Sequence, residues 1–161
     1  MTTTTPTTIE AVPDLPIIRI TREFDAPPER VFDAHVDVEK VGRWLGPRRL
    51  RMTVQRWDAE TGGGYRYTHH DGEQEFRFYG SFHEVRPAER IVQTFTFEGV
   101  PDGVCLETAT FTALPGGRTR LVGVSVADSM AARDAMLASG MEVGVQEGYE
   151  QLDELLATGA R

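Results

Sequence analysis

The stretch Ser129 to Ala157, SMAARDAMLASGMEVGVQEGYEQLDELLA, decides how this chain folds. Leu137, Met141, Val145, Leu152, Leu155 and Leu156 fall on one stripe at helical spacing, and a helix gains by burying such a stripe. Gly140, Gly144 and Gly148 run beside it at four-residue intervals. A glycine inside a helix costs about 1 kcal/mol against alanine. Three of them require a compensating close approach by a sheet, a second helix or a ligand. The reading is one long helix, capped by Asp128 or Ser129.

Upstream of this helix the chain reads mostly as strands. Ile17 to Asp25 alternates polar and apolar positions and is rich in β-branched residues, which predicts a strand. Pro27-Pro28 ends it. Pro28 and Glu29 suit the first turn of a short helix carrying Val31, Phe32, His35 and Val36. Asp37 is placed to cap a second short helix, Val38 to Leu45, which Gly46-Pro47 stops.

Leu50 to Asp58 predicts the next strand. Tyr65, Tyr67 and His69 then alternate with Arg66, Thr68 and His70 up to a hairpin at Asp71-Gly72. Phe76, Phe78, Gly80 and Phe82 share one face of the following strand, which Pro87 ends. Ile91 to Glu98 places Phe95 and Phe97 on one face. Leu106 to Leu114 and Thr119 to Val126 form a last hairpin around Pro115-Gly116-Gly117. The sum is an α+β chain: a curved antiparallel sheet of about seven strands, two short helices after the first strand, and one long helix closing the sheet.

With 161 residues, 40% of them hydrophobic, one domain with its own core is expected. We place it at residues 15–158, behind a Thr-rich disordered tail over residues 1–14. The tail lacks the basic and apolar regions of a secretory signal. No run of eighteen apolar residues exists, so no membrane span is expected. Glu142, Glu147 and Glu150 among the spaced glycines argue against a lipid-buried helix. A net charge of −8 argues against nucleic acid as a partner, and the cluster Arg48, Arg49 and Arg51 reads as a solvated face. Cys105 is the single cysteine, which forbids an intrachain disulfide and suits a reducing cytoplasm.

The order of several pieces resembles the activator-of-Hsp90-ATPase-homologue (AHSA1-like) branch of the START/Bet v 1-like superfamily. They are Pro27 to Phe32; Arg43-Trp44-Leu45-Gly46-Pro47; Gly62-Gly63; Asp71-Gly72; Phe78 with Gly80; and Glu84 to Ile91. Gly116-Gly117 with Thr119 and Leu121 follows, then Ser139-Gly140-Met141-Glu142 and Gly148 with Leu152 and Leu155. The resemblance covers Ile17 to Leu156. It implies a helix-grip fold, with the long helix lying in the concavity of the sheet over a largely apolar pocket.

Strand periodicity nominates the pocket lining: Trp44, Tyr65, Tyr67, Phe76, Phe78, Phe82, Phe95 and Phe97, facing Met136, Leu137 and Met141 of the helix. An ordinary packed core is the alternative for the same residues, and Trp44 reads either as a gate at one mouth or as a core anchor. His69 and His70 are adjacent on a strand and point to opposite faces, so no metal site is expected. His35 reads as a core histidine. Glu84 shares a face with Phe78 and Phe82, and Glu107 with Ala109 and Phe111. Each is either a desolvated acid in the cavity or an exposed carboxylate. Nucleophile-elbow, phosphate-loop and dinucleotide patterns are missing, and Cys105 has no base in register.

These observations favour a carrier or sensor that binds a small apolar or aromatic molecule, without cofactor or catalysis. An enzyme of the polyketide cyclase or aromatase type is the alternative, with Tyr65, Tyr67 and Glu84 as its candidate catalytic groups. A chaperone-interacting module is the third reading. It rests on the family's name, and a chaperone partner is not expected. Assembly is open between monomer and homodimer.

Overall fold

Eight antiparallel strands form one sheet in the order β1-β2-β8-β7-β6-β5-β4-β3, in a computed structural model that describes residues 5–158. The strands are β1 (Thr8–Ala11), β2 (Ile17–Phe24), β3 (Arg51–Trp57), β4 (Gly64–Asp71), β5 (Gln74–Arg86), β6 (Arg90–Phe97), β7 (Cys105–Leu114) and β8 (Arg118–Val126). From β3 to β8 every strand pairs with the next, so the meander follows directly from the short turns. β2 then closes onto β8 with Ile20 opposite Gly123.

The eighth strand lies in the segment read as a disordered tail. Thr8 to Ala11 pairs with β2, with Ile9 opposite Ile20, because β2 would otherwise present an open edge next to a β-branched pair. Residues 1–4 of that tail lie outside the described residues. Register shifts between Val54 and Arg56 and between Phe82 and Glu84 bend β3 and β5 and help curve the sheet.

Two helices follow β2: α1 (Pro28–Val36) and α2 (Val38–Trp44). Pro28 and Glu29 occupy the first turn of α1, and the Asp37 carboxylate caps α2 by accepting from the amides of Glu39 and Lys40. Two indoles tie this pair down. Trp44 Nε1 donates to the Ala34 carbonyl at 2.7 Å, and Trp57 Nε1 donates from β3 to the Val36 carbonyl at 2.8 Å.

The C-terminal segment is two helices where the stripe predicted one: α3 (Met130–Ala138) and α4 (Met141–Ala157). They break at Gly140, whose φ of 86° is left-handed backbone that a helix cannot carry through. The Ser129 hydroxyl caps α3 by accepting from the Ala132 amide, while Asp128 accepts from the Val104 amide. α3 buries no residue, whereas α4 buries Gly148, Leu152, Leu155 and Leu156. The close approach that the other two glycines predicted is made by the chain leaving α2: Gly148 faces Trp44 and Gly46, and Gly144 faces Pro47. The core of Phe24, Val31, Phe32, Trp44, Phe111, Leu121 and Leu152 sits between the concave sheet face and the helices. No helix among the described residues is long and apolar enough to cross a membrane.

Candidate functional site

The concave face carries the predicted aromatics as one continuous wall. Tyr67 pairs across to Phe78, and Phe78 to Phe97. The Phe78 ring lies 5.1 Å from Tyr67, 5.4 Å from Phe95 and 5.3 Å from Phe97. Phe76 extends the wall toward Phe97 at 6.4 Å, and Phe82 packs 5.2 Å from Tyr65. From the helical side, Trp44 stacks on Tyr149 at 6.0 Å. Met136 reaches Cys105, Sδ to Sγ 3.5 Å, and Leu137 and Met141 are half-buried.

Near the start of β7 the same face turns polar. Glu107 is opposite Gln93 on β6 and Ser125 on β8, and accepts from the Ser125 hydroxyl at 2.8 Å. Burial pushes its carboxyl above the usual carboxylate range, and the Ser125 hydrogen bond only partly opposes this. The Glu107 charge also reaches four other groups that burial has already raised. They are Tyr65 and Tyr67 on β4, Tyr149 on α4, pushed up to about 12, and Cys105, pushed up to about 11. Sheet and helix thus set three phenols within reach of one carboxyl's charge. The raised thiol makes Cys105 a poor nucleophile at neutral pH.

The three tyrosines are not equivalent. Tyr65 donates to the Thr94 carbonyl at 2.6 Å, reaching over Gly80, where a Cβ would lie 2.0 Å from that carbonyl oxygen. The β5–β6 ladder is interrupted there, and Ser81 NH bonds the Thr94 hydroxyl, so Tyr65 satisfies a carbonyl the sheet leaves over. Tyr67 is 6% exposed, and neither its hydroxyl nor that of Tyr149 has a protein partner among the described residues.

Glu84 follows the exposed alternative. The register shift after Phe82 turns Val85 inward and Glu84 outward, where it pairs with Arg86 and Arg90. Hydrogen bonding from Arg86 holds its carboxyl below the usual value, the reverse of a cavity acid. His69 and His70 do point to opposite faces. His70 bonds the Thr53 hydroxyl at 2.8 Å, whereas His69 is buried, bonded to the Leu45 backbone, with Nε2 lacking a partner. His35 packs against Trp44 and Phe111 with Nδ1 2.7 Å from the Val31 carbonyl oxygen, and burial lowers it to about 4. Tyr149 escaped the sequence reading, although its place between Val145 and Leu152 put it on the helix stripe.

The convex face carries a groove of about 350 Å³ lined by Gln55, Arg66, Thr68, His70, Glu75, Arg77 and Glu98. Its charges neutralise one another, Arg66 with Glu98 and Arg77 with Glu75. Two arginines of the Arg48, Arg49 and Arg51 cluster are likewise engaged. Arg48 pairs with Glu154, and Arg49 with Asp71 at 2.5 Å.

The sequence signature of the family described as activator of Hsp90 ATPase homolog 1-like protein matches residues 25–157. None of the curated proteins matches the chain. Solved structures do. A protein of Chromobacterium violaceum is 31% identical with a TM-score of 0.75, over 86% of this chain and 96% of that one. One of Mycobacterium smegmatis is 26% identical with a TM-score of 0.84, over 94% and 97%. One of Rhodobacter sphaeroides is 25% identical with a TM-score of 0.86, over 96% and 100%. By its matched residues and its fold together, this chain belongs to the activator of Hsp90 ATPase homolog 1-like family.

Proposed function

We propose that the chain binds a small apolar or aromatic molecule between the concave sheet face and helices α3 and α4, as a carrier or sensor. One observation carries the reading. The aromatic wall around Phe78 runs up to Tyr67, a buried residue whose hydroxyl has no protein partner among the described residues. Apolar area supplies affinity in small-molecule sites, and a few convergent polar groups fix orientation. The lining is that nominated from the strand faces, from Trp44 and Phe76 to Met136, Leu137 and Met141, with Tyr149 and Glu107 added. Admission is by displacement of α3, which buries nothing and joins α4 at the left-handed Gly140.

Native mass spectrometry of protein purified gently from its own cells, followed by denaturing extraction, tests this. The expected result is a non-covalent adduct that releases a small organic molecule. An apo mass, together with no uptake of any small aromatic compound, counts against the reading.

Glu107 favours a second reading. A carboxyl raised by burial beside tyrosines suits a general acid, so a cyclase- or aromatase-like enzyme would use Glu107 where the sequence nominated Glu84. Incubating the extracted molecule, or its linear precursor, with wild type and Glu107→Gln decides it. Conversion by wild type alone supports catalysis, and no conversion by either leaves binding as the function.

A further inference from the structure

Among the described residues, two buried side-chain polar atoms have no hydrogen-bond partner: Arg22 Nε and His69 Nε2. The Arg22 guanidinium lies over the Phe24 ring, 4.8 Å from its centroid, and holds Asp153 through its other nitrogens. His69 meets a loop instead. A Cβ added to Gly46 would stand 2.6 Å from His69 Cε1 and 2.8 Å from Nε2, so this edge of the ring abuts the backbone leaving α2. The Leu45 backbone bonds the same ring, and the partnerless Nε2 leaves Nδ1 to make that bond. Tyr67 and Phe78 flank the imidazole at 5.3 and 5.5 Å. The same loop is tied to α4. Gln151 Nε2 donates to the Gly46 carbonyl at 2.9 Å and to that of Trp44 at 3.1 Å, and the Arg48 amide donates to Glu147 at 3.0 Å. The chain between α2 and β3 is thus clamped between β4 and α4, with a histidine on the β4 side.

We infer that His69 is an acid-operated latch: a proton at Nε2 sets a donor against the Gly46 backbone and releases the loop after α2 from β4. With Nδ1 donating to Leu45, the neutral imidazole presents a bare lone pair at Nε2. A proton there makes the ring a cation and the atom a donor, at a buried position without an acceptor. An unpaired buried charge is costly, and withdrawal of the loop removes that cost by admitting water to the ring. No neighbouring element offers a counter-charge. On β4 the adjacent groups are Tyr67, a neutral phenol, and His70, whose charge opposes a second one beside it. β3 and β5 place Met52 and Phe76 opposite His69, and Arg51 opposite His70 adds a like charge. Asp71 is held by Arg49. On α4 the group that meets Gly46 is the neutral Gln151, while Glu147 and Glu154 are engaged by Arg48. Burial accordingly holds His69 below the ordinary 6.5. The released state binds the proton more readily, so acid favours it. Trp44 directly precedes the loop and stacks on Tyr149 at 6.0 Å, so release loosens that side of the interior whether or not a ligand occupies it.

Hydrogen exchange of the full chain, read by mass spectrometry from pH 7 to pH 5 and corrected for intrinsic rates, tests this. Relative to β7 and β8, the peptide covering residues 44–52 is expected to lose protection as pH falls below 6.5, by up to about tenfold per pH unit, the limit for one proton. His69→Asn, whose amide still donates toward Leu45 but does not titrate, should give a flat profile in that peptide. His35→Phe should keep the wild-type response. A loop profile no steeper than that of the sheet overturns the inference, as does a loop response that survives in His69→Asn. Should that variant not fold, the titration of the His69 ring followed by NMR in wild type decides. A folded value below 6.5 that moves together with the Gly46 and Arg48 amide signals is expected. A titration at the ordinary value, or one that leaves those amides unmoved, overturns the latch.

Discussion

Gly148 lies against the main chain of Trp44, where a Cβ would stand 3.1 Å from the Trp44 carbonyl oxygen and 3.3 Å from the Gly46 nitrogen. The loop cannot easily retreat. Gln151 Nε2 donates to the Trp44 and Gly46 carbonyls at 3.1 and 2.9 Å, and Arg48 NH donates to Glu147. Three contacts therefore hold the end of α2 to one face of α4.

Gly148→Ala is expected to lose stability, although alanine is the better helix former by about 1 kcal/mol. Gly144→Ala, whose Cβ would touch only the flexible Pro47 ring at 3.4 Å, should gain up to about 1 kcal/mol. Urea unfolding of the two variants provides the comparison. Equal gains would mean that the loop after α2 is free to move away.

Arg22 is 1% exposed and grips Asp153, yet its Nε has no partner and its guanidinium stacks 4.8 Å above Phe24. Removing one partner of such a pair leaves a buried charge. Asp153→Asn should therefore destabilise by about 3 kcal/mol at most, less what water retains on the half-exposed carboxylate. The double variant Arg22→Met, Asp153→Asn should recover most of that loss. A double variant as unstable as the single one would show that Arg22 contributes chiefly by packing.

The fold was legible where local signals agreed. Alternation in β4, β5 and β6, the Asp37 cap and the Ser129 cap are all properties of a few neighbouring residues. Three features were not legible, and each depends on something distant. β1 forms because β2 offers an edge to Thr8–Ala11. Glu84 faces outward because one extra residue enters β5 against β6, and no property of Glu84 itself announces that slip. The spacing singles out Gly140 but not its left-handed φ, so a break between two helices reads as a helical glycine. In the interior, ring positions followed from period two. Tyr149 comes within reach of the Glu107 charge only because α4 packs back onto the core, and that relationship has no local signature.

His35 makes the chain sensitive to mild acid. Its folded pKa of about 4 lies below the ordinary 6.5, so the native state binds fewer protons than the unfolded chain between those values. Stability should fall as pH drops from 6.5 toward 4, by about 1.4 kcal/mol per pH unit for one such group. His69, also lowered by burial, adds to the slope. The lowered carboxylates Glu23, Glu84 and Glu154 act only below 4.5. Urea midpoints between pH 6.5 and 5 should therefore shift less in His35→Phe than in wild type. Parallel curves would place His35 in contact with water.

Glu107 should produce the opposite trend. Burial raises its folded pKa above 4.5, so the native state binds more protons than the unfolded chain over the interval between the two values. Its favourable contribution is complete below 4.5 and is lost as pH rises through the folded value. The groups around it supply no compensating cation, because Gln93, Ser125, Tyr65, Tyr67, Tyr149 and Cys105 are neutral and Arg22 is held by Asp153. Glu107→Gln keeps the shape and a donor and has no proton to lose. The stability of this variant relative to wild type should therefore improve in urea unfolding as pH rises above 4.5, and level off once the folded value is passed. A difference that stays constant across that range would mean that Glu107 ionises as freely in the folded protein as in the unfolded chain, and that the interior at β7 is open to water.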